Sequence, residues 1–278
     1  MSITSPPTRL ADDLARARLL ERLAPAVREA GALIERLKAE GSAPERRKAD
    51  RSVVTDADEA AEALLTAAIR ALDPEAPIVG EEASAAGVAG SANGAERFWL
   101  IDPLDGTRSY VEGGLDYSVN VGLIEAGQPT VGLVLHPPTT TLWTGAAGLG
   151  AWKETGAERT AIRTRPLGAA PKLVTSRSHL DAKTRAWCNA VPDAEIEASG
   201  SSLKFCLLAE GLADAYPRFG ETSEWDTAAA DAILRAAGGI TLGPDGAPLG
   251  YGKPGGLNGP FLALGDPQAA GRLPPLRV

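Results

Sequence analysis

A chain of 278 residues with 44% hydrophobic and 23% charged side chains holds enough apolar material for one large domain or two fused layers, and too much for a disordered protein. Its 36 acidic against 28 basic side chains leave a formal charge of −8, which excludes the basic face that DNA, RNA or anionic lipid requires. A small phosphorylated substrate is not excluded, because a bound cation supplies positive charge that residue counts miss.

Residues 1–9 are rich in Ser, Thr and Pro and read as a frayed end. From Leu10 onward Leu14, Leu20, Leu23, Val27, Ala30, Ile34 and Leu37 keep three-to-four spacing, which predicts a helix with a kink or restart at Pro25 and an end at Gly41 and Pro44. The stretch K-A-D-R-S-V-V-T (Lys48–Thr55) is too short and polar for a helix. A second helix is predicted from Asp56 as N-cap to Asp73-Pro74. P-I-V-G-E-E reads as a strand ending on Glu81 and Glu82, followed by a Gly/Ala/Ser loop over 83–95 and the strand R-F-W-L-I. Y-S-V-N-V-G-L-I-E, T-V-G-L-V-L-H and T-L-W-T-G-A-A read as antiparallel strands between Gly, Pro and Thr turns.

The second half alternates. K-L-V-T-S is a strand, D-A-K-T-R-A-W-C-N-A a helix and E-I-E-A-S a strand. G-S-S-L-K-F-C-L-L-A-E-G opens a helix directly, A-D-A-Y-P-R is a strand, and D-T-A-A-A-D-A-I-L-R-A-A-G-G is a helix closed by a glycine pair. The expected division is an N-terminal α+β half, 1–155, and a C-terminal α/β half, 156–278, with the boundary near 150–165. Cys188 and Cys206 lack metal spacing and read as buried hydrophobes in a reducing compartment. The first residues lack an apolar signal region, and no stretch approaches the ~18 apolar residues of a membrane span. The reading is a soluble cytoplasmic protein, with loose association at the inner membrane left open.

Four acids close apolar runs: Glu81 after P-I-V-G, Asp102 after F-W-L-I, Asp105 in the turn that follows, and Asp226 before the last long helix. Clustered carboxylates repel and so need cations. Oxygen ligands without His or Cys favour Mg²⁺ over zinc. Gly106-Thr107-Arg108-Ser109 reads as a loop entering a helix, where backbone N–H groups and the Thr107 hydroxyl would meet a phosphate oxygen. Metals, an anion-binding turn and a hydroxyl together point to phosphoryl transfer to water. Taken singly, each feature has a plainer reading. D-P-L-D-G-T is a surface turn, Glu81-Glu82 a solvated loop and Asp226 a helix cap. It is their joint appearance that favours a site.

V-G-E-E, then W-L-I-D-P-L-D-G-T, then E-W-D-T-A-A-A-D with A-A-G-G, resemble the inositol monophosphatase superfamily of Mg²⁺-dependent, lithium-sensitive phosphatases. The resemblance runs from about Lys48 to Gly239. In the second half T-S-R-S-H, S-G-S-S-L-K-F-C-L-L-A-E-G-L-A-D and Y-P-R-F-G-E-T-S-E-W-D-T-A-A are similar to the 3′(2′),5′-bisphosphate nucleotidases of the CysQ type, which convert adenosine 3′,5′-bisphosphate to AMP. The resemblance implies an α/β (α+β) fold, a layered αβαβα sandwich, with the active site between its halves.

By that resemblance Glu81, Asp102, the Leu104 carbonyl, Asp105 and Asp226 would hold two or three Mg²⁺ ions. Asp58, last of V-T-D-A-D, would orient and deprotonate the attacking water with Thr107 and Glu81. Leu104, Asp105, Gly106, Thr107 and Asp226 would surround the scissile phosphate. Ser176 and His179, with Gly200 and Lys204, would contact a phosphorylated nucleotide. Gly200 would open a helix whose amides receive a second phosphate, with Lys204 as countercharge. The plainer readings are a surface cap for His179 and a solvated lysine for Lys204. His136, before two prolines, reads as structural.

Three stretches depart from the branch's pattern: Val53 where proline is usual, Arg108-Ser109-Tyr110 for Lys-Glu-Phe, and Gly80 for serine before Glu-Glu. The competing functions are an inositol-phosphate or other sugar or alcohol monophosphatase, and a non-catalytic phosphate-binding protein. The complete acid set with Thr107 disfavours the latter. Neither nucleic acid nor membrane insertion is expected, and the oligomeric state is left open.

Overall fold

The computed structural model describes residues 7–41, 46–47, 53–87, 92 and 94–276. Residues 1–6 of the expected frayed end, 48–52 of the polar stretch, and 88–91 and 93 of the Gly/Ala/Ser loop lie outside them. Helix α1 (Pro7–Ala39) runs unbroken through Pro25, where a kink was expected. Leu20, Leu23, Val27, Ala30 and Ile34 form its buried stripe, while Leu14 is 55% exposed and belongs to no core.

Two short strands, β1 (Arg46–Arg47) and β2 (Val53–Val54), pair antiparallel and lead into α2 (Asp56–Leu72). The N-cap is Thr55 rather than Asp56. Its hydroxyl accepts the Ala57 N–H at 3.2 Å while Asp58, at the third helical position, accepts the Thr55 N–H at 2.7 Å. This reciprocal capping box outcompetes a single Asp56 cap because it satisfies donors on both sides of the helix start.

Seven strands form the larger sheet in chain order: β3 (Ile78–Gly80), β4 (Arg97–Asp105), β5 (Ser118–Glu125), β6 (Gln128–His136), β7 (Thr141–Ala146), β8 (Gly150–Thr155) and β9 (Glu158–Ile162). Only β3 and β4 run parallel. The sheet continues past Thr155 to Ile162. Glu81 does not end β3 but opens a short helix, α3 (Glu81–Ala85), and α4 (Thr107–Val111) follows β4. R-F-W-L-I lacks polar alternation because both faces of β4 are covered. Trp99 and Ile101 pack with α1 and α2, Phe98 and Leu100 with the opposite layer.

The second half comprises β10 (Lys172–Ser176), α5 (Ala182–Asn189), β11 (Glu195–Ser199), α6 (Leu203–Ala209), β12 (Ala215–Arg218), β13 (Thr222–Ser223), α7 (Ala228–Ala236), β14 (Ile240–Leu242), β15 (Leu257–Asn258) and β16 (Phe261–Leu264). A five-stranded sheet has the order β11-β10-β12-β16-β14, and β13 and β15 form a separate ribbon. Helices α6 and α7 fill the space between the two sheets, and α5 covers the outer face of the smaller one through Trp187 and Cys188. The layers are therefore α, β, α, β, α. Both cysteines are free and buried. Among the described residues, no helix is long and apolar enough to cross a membrane.

Helix α7 lies unusually close to the larger sheet. Gly122, Gly132 and Gly145 are register partners across β5, β6 and β7. A Cβ on Gly122 would stand 2.8 Å from the Ala229 nitrogen, and one on Gly145 2.7 Å from the Ile233 Cα. The glycine row admits the alanine-rich helix, and the turn that precedes it carries Asp226 into the cleft at the end of β4.

Candidate active site

Asp102 and Asp105 both line one cleft of about 1120 Å3, although residues three apart on a regular strand face opposite ways. The sheet register resolves this. Asp102 stands opposite Asn120 and Asp105 opposite Ser118, so β4 carries one extra residue at Pro103-Leu104. The Leu104 N–H donates to Asp102 Oδ1 at 3.1 Å, and its carbonyl oxygen lies 3.1 Å from the Thr107 hydroxyl oxygen.

Glu81 enters the same cleft from the start of α3. That helix is anchored by Glu62 of α2, whose carboxylate accepts the Glu82 and Ala83 N–H groups at 2.8 Å each. The Glu62 oxygens lie 2.5 and 2.7 Å from where a Cβ on Gly80 would stand. A serine there would collide, which gives Gly-Glu-Glu its physical reason. Asp226 does not cap α7, whose N-cap is Thr227. Its Oδ2 instead accepts the Ser223 N–H at 3.0 Å.

Two of these carboxylates are raised by burial and by their neighbours. Asp102 is held well above the usual carboxylate range by burial, then by Glu81, Asp105 and Asp226; Asp226 is raised by burial, then by Asp105 and Glu81. Such mutual repulsion fits a centre completed by hard cations. Among the described residues, no group of three or more His, Cys, Asp and Glu forms a ready-made metal cage. An open set of carboxylates with one backbone carbonyl suits Mg²⁺, which keeps waters and takes substrate phosphate oxygens as further ligands.

Thr107 starts α4 behind Gly106, whose φ of 96° is left-handed. A Cβ on Gly106 would also lie 2.5 Å from the Asp116 carbonyl, so only glycine makes this turn. The Thr107 hydroxyl donates toward Asp58 Oδ1 at 3.1 Å. Asp58 is 1% exposed, and its other oxygen accepts the N–H and hydroxyl of Thr55. The capping box thus also fixes the carboxylate that faces Thr107.

The opposite wall comes from the second half. Ser176 is buried at the end of β10 and accepts the His179 N–H at 3.1 Å. His179 stands at the open rim of the cleft, its imidazole pushed below its ordinary value by partial desolvation against the cleft wall and by Arg218, Arg108 and Lys204. Gly200 packs on Asp116. It does not open α6, which begins at Leu203 after a turn through Ser201, where φ is 54°. Lys204 is 5% exposed. Its ammonium donates to the Ser199 carbonyl at 3.4 Å and to that of Ser201, and it sits over the Tyr216 ring. It therefore lies beneath the turn that Gly200 begins. His136 joins the Leu115 carbonyl and Thr139, outside the cleft.

Several residues of the site were not legible in the motifs. Ser201 donates to Asp105 Oδ2 at 2.7 Å and meets Ser118, which with Ser202 donates to Asn120 Oδ1. A side pocket of about 580 Å3 shares Asp105, Ser201 and Asp226 with the main cleft and is lined by Lys204 and Arg218. The Arg218 guanidinium donates to the carbonyls of Gly220, Glu221 and His179. An arginine closing the apolar strand A-Y-P-R beside the acids was the available signal.

Comparison with known proteins agrees with this geometry. The model of the inositol monophosphatase family matches residues 16–273. The 3′(2′),5′-bisphosphate nucleotidase CysQ of Escherichia coli K12 is 40% identical over 204 residues, covering 73% of this chain and 81% of the relative. The Salmonella typhimurium CysQ is 40% identical over 222 residues, covering 79% and 88%. The crystal structure of CysQ from Bacteroides thetaiotaomicron superposes with a TM-score of 0.73 at 31% identity, covering 86% of this chain and 94% of that one. An inositol monophosphatase from Anabaena gives 0.71 at 29% identity, covering 94% and 98%. The match spans both walls of the cleft, and the chain belongs to the inositol monophosphatase family.

Proposed function

We propose that this protein is a Mg²⁺-dependent phosphatase that removes the 3′-phosphate of adenosine 3′,5′-bisphosphate, giving AMP and inorganic phosphate, and that accepts the 3′-phosphoadenylyl sulfate form at the same site. The observation that carries this reading is the side pocket. It opens from the acidic cleft and sets Lys204 and Arg218, neither paired with a carboxylate among the described residues, beside a centre of carboxylates. A monophosphate offers no second phosphate for those two cations to meet. The naming of 40%-identical relatives as bisphosphate nucleotidases supports the same choice.

In this reading Glu81, Asp102, the Leu104 carbonyl, Asp105 and Asp226 hold two or three Mg²⁺ ions. Bound there, Mg²⁺ supplies charge neutralisation of the phosphate and activation of the attacking water. Gly106 and Thr107 seat the scissile phosphate. With its hydrogen turned toward Asp58, the Thr107 oxygen keeps a lone pair for the cleft and accepts a hydrogen from the water that attacks phosphorus. Asp58, through the Thr107 hydroxyl, and Glu81 serve as the base for the proton that water gives up as its oxygen bonds to phosphorus, and a proton delivered from solvent goes to the 3′-oxygen as its bond to phosphorus breaks. Ser176 and His179 flank the nucleoside. Arg218 meets the 5′-phosphate directly, and Lys204 acts through the Ser199–Ser201 carbonyls it holds and through its charge. The two free, buried cysteines accord with a cytoplasmic location.

Phosphate release from adenosine 3′,5′-bisphosphate, 3′-AMP and inositol 1-phosphate, by wild type and Arg218→Ala, tests the reading. A charge-assisted contact contributes roughly 1.5–3 kcal/mol, so kcat/KM for the bisphosphate should fall about ten- to a hundredfold while the monophosphates change little. Equal losses on all three, or a wild type that prefers inositol 1-phosphate, would pass the assignment to a monophosphatase.

A further inference from the structure

One side chain touches both halves of the cleft. Asp116 lies between α4 and β5. Its N–H donates to Ser109 Oγ at 3.1 Å, and its carbonyl fills the space that a Cβ on Gly106 would need. The loop is thereby fitted to the phosphate turn. The carboxylate reaches the other way. Oδ2 pairs with Arg177 Nε and lies 3.1 Å from the place of a Cβ on Gly200. Arg177 also donates from Nη2 to the Ala198 carbonyl at 3.0 Å and from its backbone to the Ser199 carbonyl at 3.2 Å. A single ion pair thus joins three cleft-lining segments: the Gly106–Thr107 turn, the Ser176–His179 segment and the turn at Gly200.

We propose that Asp116 and Arg177 are a positioning pair that sets the distance between the phosphate turn and the nucleotide wall. The substrate in this inference rests on the nucleotidase reading; the geometry does not. Arg177 is 59% and Asp116 26% exposed, and an ion pair so accessible contributes little to global stability. Its effect falls on placement. Displacing the nucleotide wall weakens its hold on the non-reacting part of the substrate equally in ground and transition states, which raises KM and leaves kcat. The guanidinium serves two acceptors at once, from Nε and Nη2, which a lysine cannot do.

The test uses the full chain with Asp116→Asn, Arg177→Ala, Arg177→Lys and the double variant Asp116→Asn/Arg177→Ala. Lys172→Ala is the control. It breaks the Lys172–Glu197 pair, 2.6 Å apart, at the other end of the same two strands. Hydrogen–deuterium exchange without metal or substrate should quicken about tenfold in 176–179 and 199–202 for Arg177→Ala and Asp116→Asn, less for Arg177→Lys, and not at all for the control. For adenosine 3′,5′-bisphosphate, KM should rise about five- to tenfold at nearly constant kcat, with the double variant no worse than either single. Melting temperatures should stay near wild type. A wild type inactive on the bisphosphate would remove the substrate reading alone, leaving the exchange result to judge the pair. Unchanged exchange overturns the proposal. So does an unaffected KM in Asp116→Asn, since Arg177 would then touch substrate directly, and so do additive losses in the double variant.

Discussion

Replacing Lys204 by methionine separates what this buried charge costs the fold from what it contributes to the site. Lys204 is 5% exposed, and burial lowers its pKa from 10.5 to about 8, with Arg218 adding to the fall and Asp105 opposing it. At roughly 1.4 kcal/mol per pH unit, holding the ammonium charged in the folded protein costs about 3 kcal/mol below pH 8. The buried carbonyl of Ser199 and the partly buried one of Ser201 would lose their donor in Lys204→Met, at about 1–3 kcal/mol for the first and less for the second. The terms offset, so the variant should lie near wild-type stability at neutral pH. The pH dependence is more telling. Between about pH 8 and 10.5 the unfolded chain keeps the lysine proton and the folded chain does not, so the unfolded state binds more protons and wild-type stability rises with pH. Urea unfolding in chelator at about pH 7.5 and pH 10 should therefore show wild type gaining about 2.5 kcal/mol on Lys204→Met. The buried tyrosines, which titrate high, are common to both proteins and cancel in the difference. A difference that stays flat with pH would refute the burial of this ammonium and, with it, the account of the turn it supports.

Thr107→Val removes the hydroxyl that faces Asp58 and leaves the turn's shape, so kcat should fall roughly 10²-fold or more while KM changes little, as read by steady-state phosphate release. A loss under about threefold would move the proton elsewhere. Exhaustive chelation should abolish turnover, Mg²⁺ should restore it, and Li⁺ should inhibit; full activity after chelation would sink the reading of the four carboxylates as a cation site. Gly132→Ala should destabilise by about 1–3 kcal/mol in denaturant unfolding and depress activity as well, because the new methyl meets the Ala229 carbonyl and pushes away the helix that follows Asp226. A neutral effect on both would mean that α7 tolerates displacement.

Much of the layer order was legible because it follows from local pattern. The strands of the larger sheet alternate or run apolar between Gly, Pro and Thr turns, and α1 and α7 keep helical spacing. The misses are local contests decided by a partner outside the window. Thr55 rather than Asp56 caps α2 because Asp58 returns the bond. Glu81 begins a helix because Glu62, 19 residues earlier in the chain, accepts its first amides. Pro25 leaves α1 unbroken, and the turn before α6 adds three residues where a direct helix start was expected.

The residue types of the site, hard acids at the ends of apolar runs and a glycine-threonine turn, were determined by the sequence alone, since chemistry and local turn preference are properties of the chain. Which of those residues meet was decided only in three dimensions. The extra residue at Pro103-Leu104 turns Asp102 and Asp105 to one face, and the glycine row lets α7 bring Asp226 to them from more than a hundred positions away. The serines beneath Asp105, Arg218 in the side pocket and the Asp116–Arg177 pair carry no motif of their own. Such contacts depend on backbone separations of a few ångströms, set by the packing of two sheets on shared helices, and no spacing along one strand or helix encodes them.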